Sequence, residues 1–212
     1  MLNAQRNQNN AKRNQRKPHH LVVARERPPP QSETDRMPDM AWIPGRRPLD
    51  IPESSVKDVI QLFKEETGEL YAEASVRHLP IPVWDANLLL VDLQQEPPRT
   101  VKGVMWATPF KDDIVRIAAF VIDAQHQGQG MGSQAWVRFA SEAWSKGYRR
   151  VQLEVKADNI GAQRFYARRG LAVQRELHGY YKSGLGYMMR GPLQPHSDEE
   201  GLFTVKTTSE HD

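Results

Sequence analysis

The chain has 212 residues, 39% hydrophobic and 26% charged, with a formal net charge of +3, which is enough apolar material for one domain with a real core plus tails. It contains no cysteine, so a disulfide framework and a thiolate metal site are both excluded, and a cytoplasmic protein is expected. Its longest apolar runs, "NLLLV" and "IAAFVI", are far shorter than the roughly 20 residues that cross a bilayer, and no membrane partner is expected.

Residues 1–50 read as a Pro/Gln/Asn-rich basic tail, most clearly over 1–30, where Glu26 is the only acid. Such a composition cannot bury enough apolar surface to fold alone. Lys12, Arg13, Arg16 and Lys17 suit a weak nucleic-acid contact, but charge alone is sequence-blind and this stretch has no aromatic to stack on bases. A solubilising tail accounts for it as well. The folded domain is expected over 53–193, followed by an acidic flexible tail over 194–212.

Within the domain, "ESSVKDVIQLFKEETGE" places Val56, Val59, Ile60 and Phe63 on one helical face, with Ser54 or Ser55 as N-cap and Gly68 as the stop. "NLLLVDLQQ", "GVMWATPF" and "IVRIAAFVI", separated by the turn signals "QEPPRT" and "KDD", predict a meander of antiparallel strands. Beyond "QGQGMG" (127–132), the residues Ala135, Trp136, Phe139, Ala140, Ala143 and Trp144 predict an amphipathic helix that Gly147 ends. "RVQLEV" then reads as a strand, "NIGAQRFYARRG" as a short helix, and "LAVQREL" and "GYMMRGPL" as closing strands. The seven histidines show no ligand spacing, and no metal is expected.

The glycine loop therefore lies between an apolar strand and the first turn of a helix. Helix N-termini expose unpaired N–H groups, so a side-chain-poor loop leading into one makes an anion cradle. Two phosphate motifs fail here. A P-loop needs Gly-Lys-Ser/Thr where Gly132-Ser133 stands without a lysine, and the dinucleotide fingerprint needs glycine where Ser133 stands. On spacing alone, a structural turn and an anion site both remain open.

The downstream residues add a resemblance. "QGQGMG" is similar to the Gln/Arg-x-x-Gly-x-Gly/Ala loop of the GCN5-related N-acetyltransferases (GNAT). "LEVKADNIGAQRFYARRGL" resembles that family's second signature, with Asn159, Ala162, the pair Phe165-Tyr166, and Gly170. "LEV" with its central Glu154 and the closing "GYYKSGLGYMMRGPL" resemble the ribosomal-protein N-terminal acetyltransferases. The likeness spans about 53–193 and is sharp from Ile117 to Leu193; Ala124 departs from the family's usual proline at the loop entry.

The resemblance implies an α+β fold, a mixed and mostly antiparallel central sheet flanked by helices and splayed between its fourth and fifth strands. It implies acetyl-CoA as cosubstrate. Backbone amides of Gly128, Gln129, Gly130, Met131, Gly132 and Ser133 would hold its pyrophosphate, and Val121 and Ile122 would pair with its pantetheine arm. Gln127 would brace the loop or touch the phosphates, and Asn159 would reach the cofactor or simply cap its helix. Tyr166 would protonate the leaving thiolate, and Glu154 would act as general base. For the acceptor, Trp84 in "HLPIPVWDA" and the hairpin tyrosines Tyr180 and Tyr181 are implied. Strand alternation lets one of the two tyrosines line the site while the other packs. The implied reaction acetylates a primary amine, foremost a protein N-terminal α-amino group. A small-molecule amine, or a non-catalytic CoA- or nucleic-acid-binding module, are the alternatives.

Overall fold

Apolar residues alternate along the strands so that each face of the sheet is buried by a different set of helices. The computed structural model describes residues 39–194 apart from Arg46 and Ser183. The rest of the basic tail and the acidic tail from 195 lie outside the described residues, and so does the suggested nucleic-acid contact. The strands are β1 (Met40–Pro44), β2 (Leu88–Asp92), β3 (Val101–Lys111), β4 (Ile114–Ile122), β5 (Arg150–Lys156), β6 (Ala172–Tyr181) and β7 (Gly184–Pro192). They form one seven-stranded sheet in the order β1-β2-β3-β4-β5-β7-β6. Only β4 and β5 pair in parallel; all the other pairings are antiparallel. This is the mixed sheet that the resemblance implies.

The helices are α1 (Glu53–Thr67), α2 (Glu73–Arg77), α3 (Met131–Ser145) and α4 (Ile160–Ala167). Leu88, Leu90 and Met105 join Trp136, Phe139 and Ala140 of α3 in one core. Leu89, Val91 and Val104, the opposite-facing neighbours, join Val56, Val59 and Phe63 of α1 and Val76 of α2 in the other. The period of two along β2 thus supplies both layers.

α1 ends as expected, at Gly68 with φ 69°, whose N–H donates to the Lys64 carbonyl at 3.1 Å. Its start differs from expectation. Pro52, not Ser54 or Ser55, is the N-cap, because the Val56 N–H already donates to the Pro52 carbonyl at 3.1 Å and closes the first turn earlier. Ser55 is buried inside that turn.

The domain also begins earlier than residue 53. Residues 40–44, assigned to the tail on composition, form edge strand β1, registered from Met40↔Asp92 to Pro44↔Leu88. Trp42 is the reason: it is 3% exposed, and its indole N–H donates to the Met131 carbonyl at 2.9 Å, joining β1 to the start of α3. A five-residue strand beside prolines carries too little periodicity to reveal this, and Pro44 is tolerated because the strand lies at an edge.

The pairing of β4 with β5 is brief. It runs only from Ile114↔Arg150 to Arg116↔Gln152, while β4 continues along β3 as far as Gly103↔Ile122. The sheet therefore forks after Arg116. Trp42→Ala should cost about 3–5 kcal/mol of stability in a denaturant titration, the range for removing a large buried aromatic. A loss under about 1 kcal/mol would show that β1 is not part of the core.

Candidate active site

The fork opens a cavity of about 720 Å³. From the α1 side it is lined by Phe63, Glu66, Tyr71 and Val76; from the α4 side by Ala162 and Tyr166; and at its rims by residues 118–121 of β4 and by Glu154 of β5. Because Tyr166 belongs to the core under α3 and Phe63 to the core under α1, the cavity passes through the sheet. Beyond Arg116 the edge of β4 that faces β5 has no ladder partner, which leaves backbone groups free for an extended ligand.

The glycine loop sits at one end of β4. Gly128 and Gly130 have φ values of 72° and 83°, where a side chain is strained, and Gly130 is the N-cap of α3. The first bond of the helix runs from the Gln134 N–H to the Gly130 carbonyl at 3.1 Å. The N–H groups of Met131, Gly132 and Ser133 therefore point out of the helix start unpaired, which suits a phosphate. A Cβ on Gly132 would come within 3.3 Å of the Phe165 ring, so α4 packs closely against this turn.

Gln127 braces the loop. Its amide donates to the Ile122 carbonyl at 2.7 Å and to Glu66 at 2.9 Å. Glu66 also accepts from the Ala124 N–H at 2.8 Å, a donor that the proline usual at this position would lack. Gln129 donates to the Gln125 carbonyl at 2.7 Å and likewise serves the loop. Ile122 spends its carbonyl on Gln127 and does not line the cavity, whereas Val121 does. The free edge is thus the stretch from Ala118 to Val121, slightly earlier than expected.

Arg169, which the sequence did not single out, places a guanidinium beside this helix start. It donates to the Ser133 hydroxyl at 3.0 Å and stacks 3.5 Å from the Phe165 ring centre. Burial, with help from neighbouring Arg168, pulls its pKa down to about 10. Asn159 caps α4, its side chain accepting from the Ala162 N–H at 2.9 Å, and it also lines the cavity.

On β5, Glu154 is 12% exposed, and its Oε2 accepts from Arg116 Nε at 2.9 Å and Nη2 at 2.6 Å. Its Oε1 accepts only a long 3.3 Å contact from the Gln152 amide. Tyr166 lies across the fork, and burial pushes its phenol well above the usual tyrosine pKa. Tyr181 lines the cavity, its pKa also raised, by burial and then by Tyr180 and Glu154.

A family model described as the acetyltransferase (GNAT) family matches residues 56–171. The chain belongs to the GNAT acetyltransferases. No curated protein sequence matches it significantly. Among solved structures, the fold is similar to Ard1 from Thermoplasma volcanium, with 22% identity, a TM-score of 0.59, and coverage of 73% of this chain and 98% of that one. It is also similar to the ribosomal-protein-S18-alanine N-acetyltransferase from Escherichia coli, with 16% identity, a TM-score of 0.55, and coverage of 77% and 99%. A further match is the NatC complex bound to Gag peptide and CoA, with 16% identity, a TM-score of 0.61, and coverage of 73% and 99%.

In this GNAT enzyme the fork, the glycine loop and the free edge of β4 fit acetyl-CoA, while two of the acceptor-side expectations need correction. Trp84 is a core residue. It packs edge-on against Tyr148 and donates its indole N–H to the Ala107 carbonyl at 3.2 Å. β3 runs past the end of β2 here, and Trp84 together with the buried Asn87, which accepts from the Ala107 N–H at 2.8 Å, replaces the missing strand partner. Tyr180 does not pack inside either. It is 53% exposed, stands 5.0 Å from the Tyr181 ring and accepts from Arg116 at 3.0 Å. The register slips between Leu177↔Gly186 and Tyr181↔Gly184, with Gly179 at φ 70°, so the alternation that should separate the two tyrosines is broken.

The segment after α1 supplies part of the cavity wall, where Glu69 and Tyr71 line it and Lys156 pairs with Glu69 at 3.1 Å. Gly130→Asp should abolish acetyl-CoA binding in calorimetry, because it forces a side chain onto positive φ and puts a carboxylate at the anion cradle. Unchanged affinity would remove the phosphate from this loop.

Proposed function

We propose that this GNAT acetyltransferase acetylates a protein N-terminal α-amino group, with Glu154 taking the ammonium proton and Tyr166 supplying one to the leaving group. The observation that carries this reading is that Glu154 and Tyr166 line one cavity from opposite faces of the forked sheet. Acetyl-CoA supplies the electrophilic thioester carbonyl when bound. The chain's own residues hold it and manage protons. Backbone amides of the loop at the start of α3 hold the phosphates, and the free edge of β4 directs the pantetheine arm toward the fork. Tyr166 stays protonated across the working pH range because burial disfavours the phenolate, so it is present as an acid.

The acceptor argument begins with protonation. At pH 7 about one α-amino group in six to ten is neutral, against about one lysine in 2,500, so a lysine acceptor would need several hundred-fold more help from the base. A single carboxylate suits the easier proton. The mouth of the cavity supports a peptide: Tyr71 reaches it from the segment after α1, and Tyr181, backed by Tyr180, from the β6–β7 hairpin. Tyrosines offer a large stacking area and a hydroxyl for peptide groups. The N-terminal acetyltransferases among the similar folds support the same reading.

Free thiol should appear with acetyl-CoA and short peptides bearing a free α-amino group, and not with Nα-blocked lysine peptides, polyamines or aminoglycosides. Turnover of only the latter compounds would replace the peptide by a small or side-chain amine. Glu154→Gln should lower kcat/KM at pH 7 by about 10²-fold or less and regain part of it as pH rises and free amine accumulates. Tyr166→Phe should show no such recovery, because a missing acid is not replaced at high pH. Full activity of Glu154→Gln with a normal pH profile would overturn the base assignment.

A further inference from the structure

Arg116 occupies the last position at which β4 and β5 are paired, opposite Gln152. Glu154 lies two residues farther along β5, on the same face. Past this point no ladder fixes the distance between the two strands, so a carboxylate on β5 has no backbone constraint relative to β4. Arg116 supplies one. It approaches Glu154 through Nε and Nη2, both onto Oε2, rather than one nitrogen per oxygen. That leaves Oε1 with only the long Gln152 contact. The same Nη2 donates to the Tyr180 hydroxyl at 3.0 Å. One guanidinium thus links β4, β5 and the bulged end of β6.

Among the described residues no other cation bonds Glu154. Lys156 is engaged by Glu69 at 3.1 Å and by the Thr67 carbonyl, and Arg190 donates to Gln152 Oε1 at 3.1 Å. Tyr180 lies on an edge strand whose register has slipped, and it is largely exposed. Burial weakens the Arg116 charge, but the hydrogen bond and charge of Glu154, with Tyr180 behind them, outweigh it and raise its pKa.

We propose that Arg116 is a positioning residue that acts through Glu154 and Tyr180: it locks Oε2 so that Oε1 is the oxygen presented to the acceptor ammonium, and it anchors the hairpin tyrosine at the same point. This rests on the reading of Glu154 as the base. A lysine could hold Oε2 as a point charge but lacks the planar spread of donors that also reaches Tyr180.

The test is a double-mutant cycle on the full chain, using the free-α-amino peptide that gives the most thiol release and saturating acetyl-CoA. Arg116→Met should lower kcat about 10- to 100-fold, within the range of a misplaced general base. In the Glu154→Gln background it should cause little further loss of kcat, because both changes remove one function. Arg116→Lys should recover part of kcat while leaving KM for the peptide raised, as Tyr180→Phe alone should raise it. Acetyl-CoA affinity, read by calorimetry, should stay unchanged in all five. If Arg116→Met does not fold, Arg116→Lys, which keeps the charge and the aliphatic stem, carries the same comparison. If Glu154→Gln is impaired but the Arg116 variants are fully active, or lose equally in both backgrounds, the positioning role is overturned and the base stands. If Glu154→Gln is itself fully active, the base reading falls, and the positioning role falls with it.

Discussion

The parting of β4 from β5 is the constraint on which the rest of the molecule depends. A parallel pair held through three registers and then released, Ile114↔Arg150 to Arg116↔Gln152, leaves the facing edges of both strands without ladder partners among the described residues. Unpaired backbone groups are costly unless water or a ligand satisfies them, so a fork of this kind persists only where something holds it open. An aromatic cluster packs beside it, with Phe120 and Tyr166 in the cavity wall. Phe120 near the end of β4 lies 5.8 Å from Phe165 of α4, Phe165 lies 6.0 Å from Trp136 of α3, and Tyr166 completes the cluster at 5.4 Å from Phe165. The same packing aims the start of α3 at the free edge, so the phosphate cradle and the strand edge that would guide the rest of the cosubstrate share one cause.

The opposite wall is tied down by polar contacts instead. Glu66 at the end of α1 joins the Ala124 N–H and the Gln127 side chain, which fixes the glycine loop against a helix on the far face of the sheet. Lys156 pairs with Glu69 and donates to the Thr67 carbonyl, drawing the segment after α1 onto β5. Glu69 is buried and Lys156 half-buried, and removing one alone would leave the other charge unpaired in the cavity wall.

Local signals in the chain disclosed the parts of the site that are local in space. The glycines of 127–132, the helix they open and the Asn159 cap each depend on residues within one turn of one another, and each stands where its pattern places it. What stayed hidden depends on distant pairs. Glu66 meets Gln127 across 61 positions, and Arg116 meets Glu154 across 38. No periodicity marks either residue, since each reads as an ordinary charge on an amphipathic element. Trp84 misled for the related reason that an aromatic in a loop resembles a binding residue until the end of β2 shows that Ala107 needs its indole. The tyrosine pair misled because alternation holds only where the register is regular, and Gly179 at φ 70° lies inside the slip.

Charge is unevenly distributed along the cavity. At the start of α3 the free N–H groups, the helix dipole and the Arg169 guanidinium all present positive potential. Glu66, Glu69, Glu154 and Asp158 also line the cavity, Glu66 against the glycine loop itself, with Lys156 the one cation among the described lining residues. In the proposed reaction an anionic cosubstrate would be favoured at the helix start and a cationic amine along the acidic lining, in a cleft whose low-dielectric walls sharpen the field. The two reacting groups of that proposal, an uncharged thioester and an amine that has just lost its proton, would then meet at the fork. Glu154 stands there beside Arg116 in a net neutral pair. The positive helix start and the Arg116–Glu154 pair thus lie at different points along β4, and the second is set by where β4 leaves β5.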